Sequence, residues 1–69
     1  MQHSYQKIAQ QLEQAIRQGQ YQTGQRLPSV RSAALSYQVS IATIIRCYRQ
    51  LENQGLLEAK SKSGMYVAD

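Results

Sequence analysis

The chain of 69 residues has no tryptophan and no phenylalanine, so aliphatic side chains and five tyrosines must fill its core. Its single cysteine, Cys47, excludes an intrachain disulfide and suits a reducing compartment. No apolar run approaches the roughly 18 to 20 residues of a membrane span, and no cleavable signal opens the chain. These absences predict one small cytoplasmic domain with a thin core and no membrane association.

The residue patterns that catalysis needs are also missing. The sequence shows no paired carboxylate site, no metal-ligand spacing and no nucleophile with a neighbouring base. The one histidine, His3, has no second ligand close to it. We therefore expect neither an enzyme nor a cofactor or metal in this domain.

Acidic residues are few, with four Asp and Glu against eight Lys and Arg, for a net charge of +4. The excess is uneven: residues 26–62 contain six basic and two acidic residues, whereas residues 1–25 contain two basic and one acidic. A positive charge concentrated in one part of a small domain is typical of nucleic-acid binding. The charge alone does not decide between DNA binding and an ordinary solvated surface.

Hydrophobic spacing predicts a first helix that ends near Gly19. Its apolar residues recur at the three- and four-residue spacing of one helical face: Tyr5, Ile8, Ala9, Leu12, Ala15 and Ile16. After a polar loop, residues 25–27 are expected to form a short strand that pairs with a later hairpin. Pro28 ends any helix that precedes it.

Two more helices are predicted after Pro28. Ser29 can cap a short helix, and Ser40 can cap a longer one that runs to Gln54 and ends at Gly55. The predicted buried face of the third helix holds Ile44, Cys47, Tyr48 and Leu51. Its opposite face holds Ala42, Arg46, Arg49 and Asn53, with Ile41 and Ile45 at the flank.

Residues 56–59 and 65–67 read as the two arms of a hairpin around a polar, glycine-containing turn. With the three helices, this pattern predicts a mainly α domain over residues 1–69 with a small β-hairpin. The architecture is a winged helix-turn-helix, in which the hairpin is the wing.

The predicted third helix suits the major groove of duplex DNA. A helix of about 14 residues is roughly 21 Å long, and its width matches that groove. Its first turns can present side chains to base edges. The candidates are Ser40, Ile41, Ala42, Thr43, Ile45 and Arg46. The isoleucines and the alanine can touch thymine methyl groups.

Cations around this helix are candidates for phosphate contacts. Arg46 or Arg49 can pair with guanine or hold a phosphate, and the sequence leaves both roles open. The free backbone amides at the N-terminus of the second helix suit a phosphate, and Arg31 adds a positive charge at the same place. The wing, residues 60–64, adds the candidates Lys60, Lys62, Ser63 and Gly64.

Each candidate also has an ordinary structural interpretation. The arginines can be solvated charges, and Lys60 and Lys62 can keep an exposed strand edge soluble. Ile41 and Ile45 can be core residues, or can form a patch with Leu35 that another protein covers. A winged helix used mainly for protein contact or dimerisation is therefore the alternative function.

Four motifs together resemble a known family. They are Leu27-Pro28-Ser29-x-Arg31, Val39-Ser40, Tyr48-Arg49-x-Leu51-Glu52-x-x-Gly55-Leu56-Leu57 and Ser63-Gly64-x-Tyr66-Val67. The chain resembles the N-terminal DNA-binding domain of GntR-family bacterial transcription regulators over nearly its whole length. The last two motifs resemble especially the MocR-like branch, in which a large aminotransferase-related domain that binds pyridoxal phosphate follows. The YtrA-like branch, with a short helical effector region, shares much of the pattern.

The resemblance implies that Arg31, Ser40 and Thr43 contact DNA and that Gly64 approaches the minor groove. Two positions depart from the family pattern. Ile41 replaces a frequent arginine, so a direct base contact by a long cation is lost and the sequence preference should differ. Gln38 replaces the usual turn glycine, at a cost of about 1 kcal/mol if its φ is positive.

The resemblance also implies a longer protein. Leu35 stands where family members usually have a polar residue, so an exposed Leu35 would mark a contact with a partner subunit or an effector domain. We expect the 69 residues to be a piece of a homodimeric regulator that binds a two-fold symmetric operator. Any pyridoxal phosphate site would belong to the part that is absent.

Overall fold

Three helices precede a two-stranded antiparallel sheet in the computed structural model, which describes residues 4–60 and 64–68. The helices are α1 (Ser4–Arg17), α2 (Val30–Tyr37) and α3 (Ile41–Asn53), and the strands are β1 (Leu57–Ala59) and β2 (Met65–Val67). The predicted winged helix-turn-helix is confirmed. The predicted third helix ends one residue early, because Gln54 is its C-cap.

The wing is connected by hydrogen bonds to the segment before α2. β1 pairs with β2 so that Leu57 lies opposite Val67, and Arg26 forms an isolated bridge with Tyr66 on the other side of β2. Leu27 N donates to Met65 O, and Val67 N donates to Gln25 O, both at 2.9 Å. The predicted pairing of residues 25–27 with the hairpin is therefore confirmed.

Serine caps set the starts of α2 and α3. The Ser29 hydroxyl accepts a hydrogen bond from Ser32 N, and the Ser40 hydroxyl accepts one from Thr43 N, both at 3.1 Å. Each cap satisfies one of the amides that the first turn of a helix leaves without a backbone partner. The two predicted caps are thus present, and the Ser40 cap ends the turn between α2 and α3.

Gln38 ends α2 in the left-handed conformation, with φ of 61° and ψ of 45°. It is the only residue other than glycine with a positive φ among the residues that the structure describes. Its backbone N–H donates to carbonyls at the end of α2, as a glycine would at this position. The expected strain of about 1 kcal/mol therefore applies to this turn.

The core lies where α1, α2 and the wing meet α3. Ile44, Cys47 and Leu51 are completely buried, and Tyr48 is 4% exposed. The other buried residues are Ile8, Ala9, Leu12, Leu27, Ala33, Ala34, Leu57 and Val67. A buried aliphatic side chain contributes about 1.5–3 kcal/mol, so this cluster determines which face of α3 points outward.

Candidate nucleic-acid interface

The outward face of α3 holds the residues that the sequence places opposite the core. Ala42, Arg46 and Arg49 are all exposed. Since a helix has 3.6 residues per turn, Ala42 lies near the middle of this face, with Arg46 and Arg49 on either side. Ile41 and Ile45 are each 41% exposed, so they lie at the edge of the same face and not in the core.

The first turn of α3 is held by two hydroxyls that contact each other. Ser40 Oγ and Thr43 Oγ1 lie 2.9 Å apart, in addition to the capping bond from Thr43 N to Ser40 Oγ. Ser40 is exposed and Thr43 is half-buried. The pair fixes the N-terminal end of α3, where the helix dipole favours a negatively charged group.

Arg46 lies on the side of the outward face that borders α1. Its guanidinium carbon is 4.3 Å from the centroid of the Tyr5 ring, within the range of a cation–π interaction. A groove of about 280 Å³ is lined by Tyr5, Ala42, Thr43 and Arg46. The sequence assigned Tyr5 to the apolar face of α1, and nothing local in it indicated this contact with Arg46.

Arg49 lies on the opposite side of the face and borders the wing. A smaller groove of about 170 Å³ separates α3 from β2 there. It is lined by Val30, Ile45, Tyr48, Arg49, Glu52 and Met65. The two arginines of α3 therefore have different neighbours, one beside an aromatic ring and one beside a mixed apolar and acidic groove.

The N-terminal end of α2 offers a second group of polar residues. Arg31 lies in the first turn of α2 and is exposed, as the sequence predicts. Beside this end is a cleft of about 490 Å³, lined by Tyr21, Gln25, Arg26, Leu27, Pro28, Ser29 and Ser32. The structure thus places Arg26 on this cleft, a cation that the sequence analysis did not select.

The described part of the wing contains Lys60 and Gly64, whereas Lys62 and Ser63 lie outside the described residues. Lys60 Nζ is 3.8 Å from Glu58 Oε2 and 5.2 Å from the Tyr66 ring centroid. Such exposed pairs contribute little to stability, so they leave the lysine able to exchange partners. These contacts with Glu58 and Tyr66 place Lys60 on the wing, as predicted.

Gly64 lies directly against Arg26. Its φ is 121°, and a Cβ at this position would be 3.3 Å from Arg26 Nε. The bridge between Arg26 and Tyr66 brings Arg26 close to Gly64. The predicted pairing of residues 25–27 with the hairpin was the sequence signal that could have placed Arg26 at the wing.

Two buried side chains fasten α3 to the rest of the domain. Tyr48 Oη donates to Pro28 O at 2.7 Å, and Cys47 Sγ donates to Tyr5 O at 3.1 Å. Burial raises the pKa of Tyr48 to about 12, and it also raises the pKa of the Cys47 thiol. Cys47 is a core residue, as the sequence predicts, and its raised pKa favours the protonated thiol.

Other surfaces of the described residues add little chemistry. Residues 4–60 and 64–68 contain no group of three or more His, Cys, Asp or Glu side chains that could hold a metal ion. None of the helices in these ranges is long and apolar enough to cross a membrane. Leu35, on α2, is 77% exposed. An exposed leucine at this position is what the family resemblance predicts for a contact with another subunit or domain.

Comparison with known proteins identifies the family. The model of the bacterial regulatory proteins of the gntR family matches residues 4–67, so the chain belongs to this family. The HTH-type transcriptional regulator YdcR of Escherichia coli, described as uncharacterized, is 42% identical over 64 residues, which are 93% of this chain and 14% of that protein. The HTH-type transcriptional repressor YtrA of Bacillus subtilis is 31% identical over 65 residues, which are 94% of this chain and 50% of that protein.

The fold also matches solved structures of regulators. The DNA-binding domain of AraR in complex with operator ORR3 superimposes with a TM-score of 0.91 at 28% identity, over 99% of this chain and 82% of that one. The three helices and the wing are therefore those of a GntR-family DNA-binding domain. The chain spans half or less of the length of the two relatives named above.

Proposed function

We propose that this domain binds duplex DNA in a sequence-specific manner, with α3 in the major groove and wing residues 60–64 at the minor groove. The observation that carries the proposal is the outward face of α3, where Ala42 is flanked by two exposed arginines while the opposite face of the helix is buried. The structure of the AraR domain bound to its operator supports the same use of this fold.

Each side chain on this face has a role that fits its position. Ala42, Ile41 and Ile45 present methyl groups that suit thymine, and the hydroxyls of Ser40 and Thr43 lie at the helix end that approaches the groove. Arg31 and Lys60 suit phosphate contacts, whereas Arg46 and Arg49 can each hold a phosphate or pair with guanine. Lys62, which lies outside the described residues, is a further candidate for a phosphate contact. Gly64 gives the wing a residue without a side chain, and Ser63, which lies outside the described residues, is proposed as a further DNA contact.

The full-length protein is proposed to be a cytoplasmic, homodimeric transcription regulator that recognises a two-fold symmetric operator. The matched segment is only 14% of YdcR, the more similar of the two relatives, but 50% of YtrA. YdcR therefore has room for a large further domain, and this favours the MocR-like branch over the YtrA-like branch. In that branch the pyridoxal phosphate site belongs to the large following domain. This domain itself then contributes DNA binding and no catalysis.

Fluorescence anisotropy tests the proposal on duplex DNA from the promoter beside the gene and on a scrambled duplex of equal length, each at several salt concentrations. We expect tighter binding to the promoter, with log affinity falling by about 0.9 per neutralised phosphate for each tenfold rise in salt. Equal, weak binding to both duplexes would instead support a protein-contact role for the exposed Leu35, Ile41 and Ile45.

A charge substitution in the middle of the outward face gives a sharper test. Ala42→Glu places a carboxylate in the first turn of α3, where the helix dipole stabilises it while the DNA backbone repels it. We expect folding to be preserved and affinity to fall at least about tenfold. Gln14→Glu adds the same charge to the exposed side of α1 and is the matched control. Equal affinity for both variants would contradict the proposed orientation.

A further inference from the structure

Tyr5 contacts two consecutive residues of α3, whereas hydrophobic spacing predicts only that it lies on the apolar face of α1. Its backbone carbonyl accepts the hydrogen bond from Cys47 Sγ at 3.1 Å. Its ring lies against the guanidinium of Arg46, 4.3 Å from the ring centroid. The beginning of α1 is therefore attached to the middle of α3 through both the backbone and the side chain of one residue.

The ring restricts where the guanidinium of Arg46 can go. A helical side chain leans toward the N-terminus of its own helix, so Arg46 extends back toward Ala42 and Thr43. These residues line the groove of about 280 Å³ that Tyr5 closes on the α1 side. A cation–π contact at an exposed site favours this position of the guanidinium by a factor of about two to five over free rotation.

Stacking leaves the guanidinium able to bind an anion. A cation–π contact uses the flat face of the group, whereas its N–H donors point outward in the plane. These donors suit the oxygens of a phosphodiester. When a helix lies in the major groove, the middle of its outward face meets base edges and its sides approach the phosphates.

We propose that Tyr5 is a positioning residue, which directs Arg46 to a backbone phosphate on the α1 side of α3 and away from the base edges. This inference rests on the proposed function, because it assigns one contact within the same DNA interface. It separates two roles that the sequence left open for Arg46. It also gives Tyr5 a part in DNA binding without requiring the tyrosine itself to touch DNA.

A double-mutant cycle tests the coupling between the two residues. Tyr5→Leu removes the ring but keeps an apolar side chain and the carbonyl that Cys47 contacts. Its affinity is compared with that of wild type, Arg46→Ala and the double variant, on a duplex that the wild-type domain enriches from a random pool and on a scrambled duplex. We expect Tyr5→Leu to weaken binding about two- to fivefold on both duplexes, the equivalent of 0.5–1 kcal/mol. In the Arg46→Ala background it should have no effect.

Two further variants distinguish positioning from a general loss of structure. Tyr5→Phe keeps the ring and should bind like wild type. Arg49 lies on the other side of the outward face. The fold-losses of affinity caused by Arg49→Ala and by Tyr5→Leu should therefore multiply in the double variant. A Tyr5→Leu loss that persists in the Arg46→Ala background would overturn the inference, as would a similar loss in Tyr5→Phe.

Methylphosphonate substitution identifies the phosphate. Single phosphates of the enriched duplex are neutralised one at a time, and the loss of affinity is measured for each protein. At one position the loss should be about tenfold smaller for Arg46→Ala than for wild type, and intermediate for Tyr5→Leu. If Arg46→Ala instead loses affinity only for duplexes that keep one particular base pair, Arg46 reads a base and the inference fails.

The proposed function can fail independently of this inference. Equal wild-type affinity for the enriched and scrambled duplexes would refute sequence-specific binding. The double-mutant cycle on the scrambled duplex would still decide whether Tyr5 acts through Arg46, because a phosphate contact does not depend on sequence.

Discussion

Arg46 and Arg49 stand three positions apart on α3, yet the structure gives them different surroundings. Arg46 lies on the side that borders α1, with its guanidinium over the Tyr5 ring. Arg49 lies on the side that borders the wing, beside a groove lined by Ile45, Glu52 and other residues. Two identical side chains on one helix face can therefore have distinct roles, because a different element of the fold flanks each of them.

The two sides are also held to the rest of the domain by different contacts. On the α1 side, the Cys47 thiol donates to the Tyr5 carbonyl. On the wing side, the Tyr48 hydroxyl donates to the Pro28 carbonyl, and Arg26 bridges to Tyr66 of the wing. Substitutions that act on one side only, or on both, can therefore test whether the two sides are independent.

The largest expected effect comes from Ile44→Ala, because Ile44 is completely buried between both sides. Loss of this side chain should lower the free energy of unfolding by about 2–5 kcal/mol. A domain of this size has only a few kcal/mol of stability, so we expect substantial unfolding at 25 °C. Urea unfolding followed by circular dichroism measures the change. Ile45→Ala, at a 41% exposed position, is the control and should cost less than about 1 kcal/mol.

Alkaline pH should loosen the wing side. The folded state holds the pKa of Tyr48 at about 12, above its ordinary value of 10.0, so the native state keeps a proton that the unfolded state loses. Stability should therefore be complete below about pH 10 and should fall by about 2–3 kcal/mol as pH rises through 12. Burial also raises the pKa of Tyr37 and Cys47, which adds to the same fall.

The control for this pH effect is Tyr48→Phe. At neutral pH it should lower the free energy of unfolding by about 1 kcal/mol, because the hydrogen bond to Pro28 is lost. Between about pH 9 and 11.5 its stability should fall less than that of wild type. An equal fall in both proteins would show that Tyr48 does not carry the pH dependence.

Gly64→Ala should act on the wing alone. The added methyl group meets a φ of 121° and lies 3.3 Å from Arg26 Nε, so both strain and displacement of Arg26 are expected. We expect a loss of about 1–2 kcal/mol in the free energy of unfolding. In nuclear magnetic resonance spectra the shifts should be confined to the wing and residues 25–27, with Tyr5 and Arg46 unchanged. Changes of equal size on the α1 side would show that the two sides are coupled.

The smallest effect is expected at Gln38, in the turn between α2 and α3. Gln38→Gly removes the cost of a left-handed residue with a side chain, so the variant should be stabilised by about 0.5–1 kcal/mol. Its DNA affinity should equal that of wild type. Thermal unfolding measures the gain, and a lower melting temperature would mean that the Gln38 side chain makes a favourable contact.

Much of the fold was predictable because its signals are local. Ser29 and Ser40 each stand directly before a predicted helix, where a cap is expected, and both accept the expected amide hydrogen bonds. The buried residues of α3 follow the helical period, which is why Ile44 and Leu51 were identified correctly. The sequence does not decide whether Ile41 and Ile45 are exposed, because their place at the edge of the face depends on what packs against α3.

Contacts between distant segments could not be predicted in the same way. Tyr5 and Arg46 are separated by 40 intervening residues, and their contact depends on how α1 packs on α3. Arg26 reaches Gly64 only because residues 25–27 join the wing. The sequence predicts that pairing but does not indicate that the Arg26 side chain lies against Gly64, and no sequence pattern indicates a partner for Tyr5.

The sequence by itself determined where the helices and strands begin and end to within about two residues, because caps, glycines and hydrophobic periods act over a few residues. It also determined which side of α3 faces outward and which family the motifs resemble. Only the tertiary structure decided that Arg46 stacks on Tyr5, that Arg49 borders the wing and that the Arg26 side chain lies against Gly64. The physical reason is that these contacts depend on the packing of separate elements against one hydrophobic core, which no local stretch of sequence specifies.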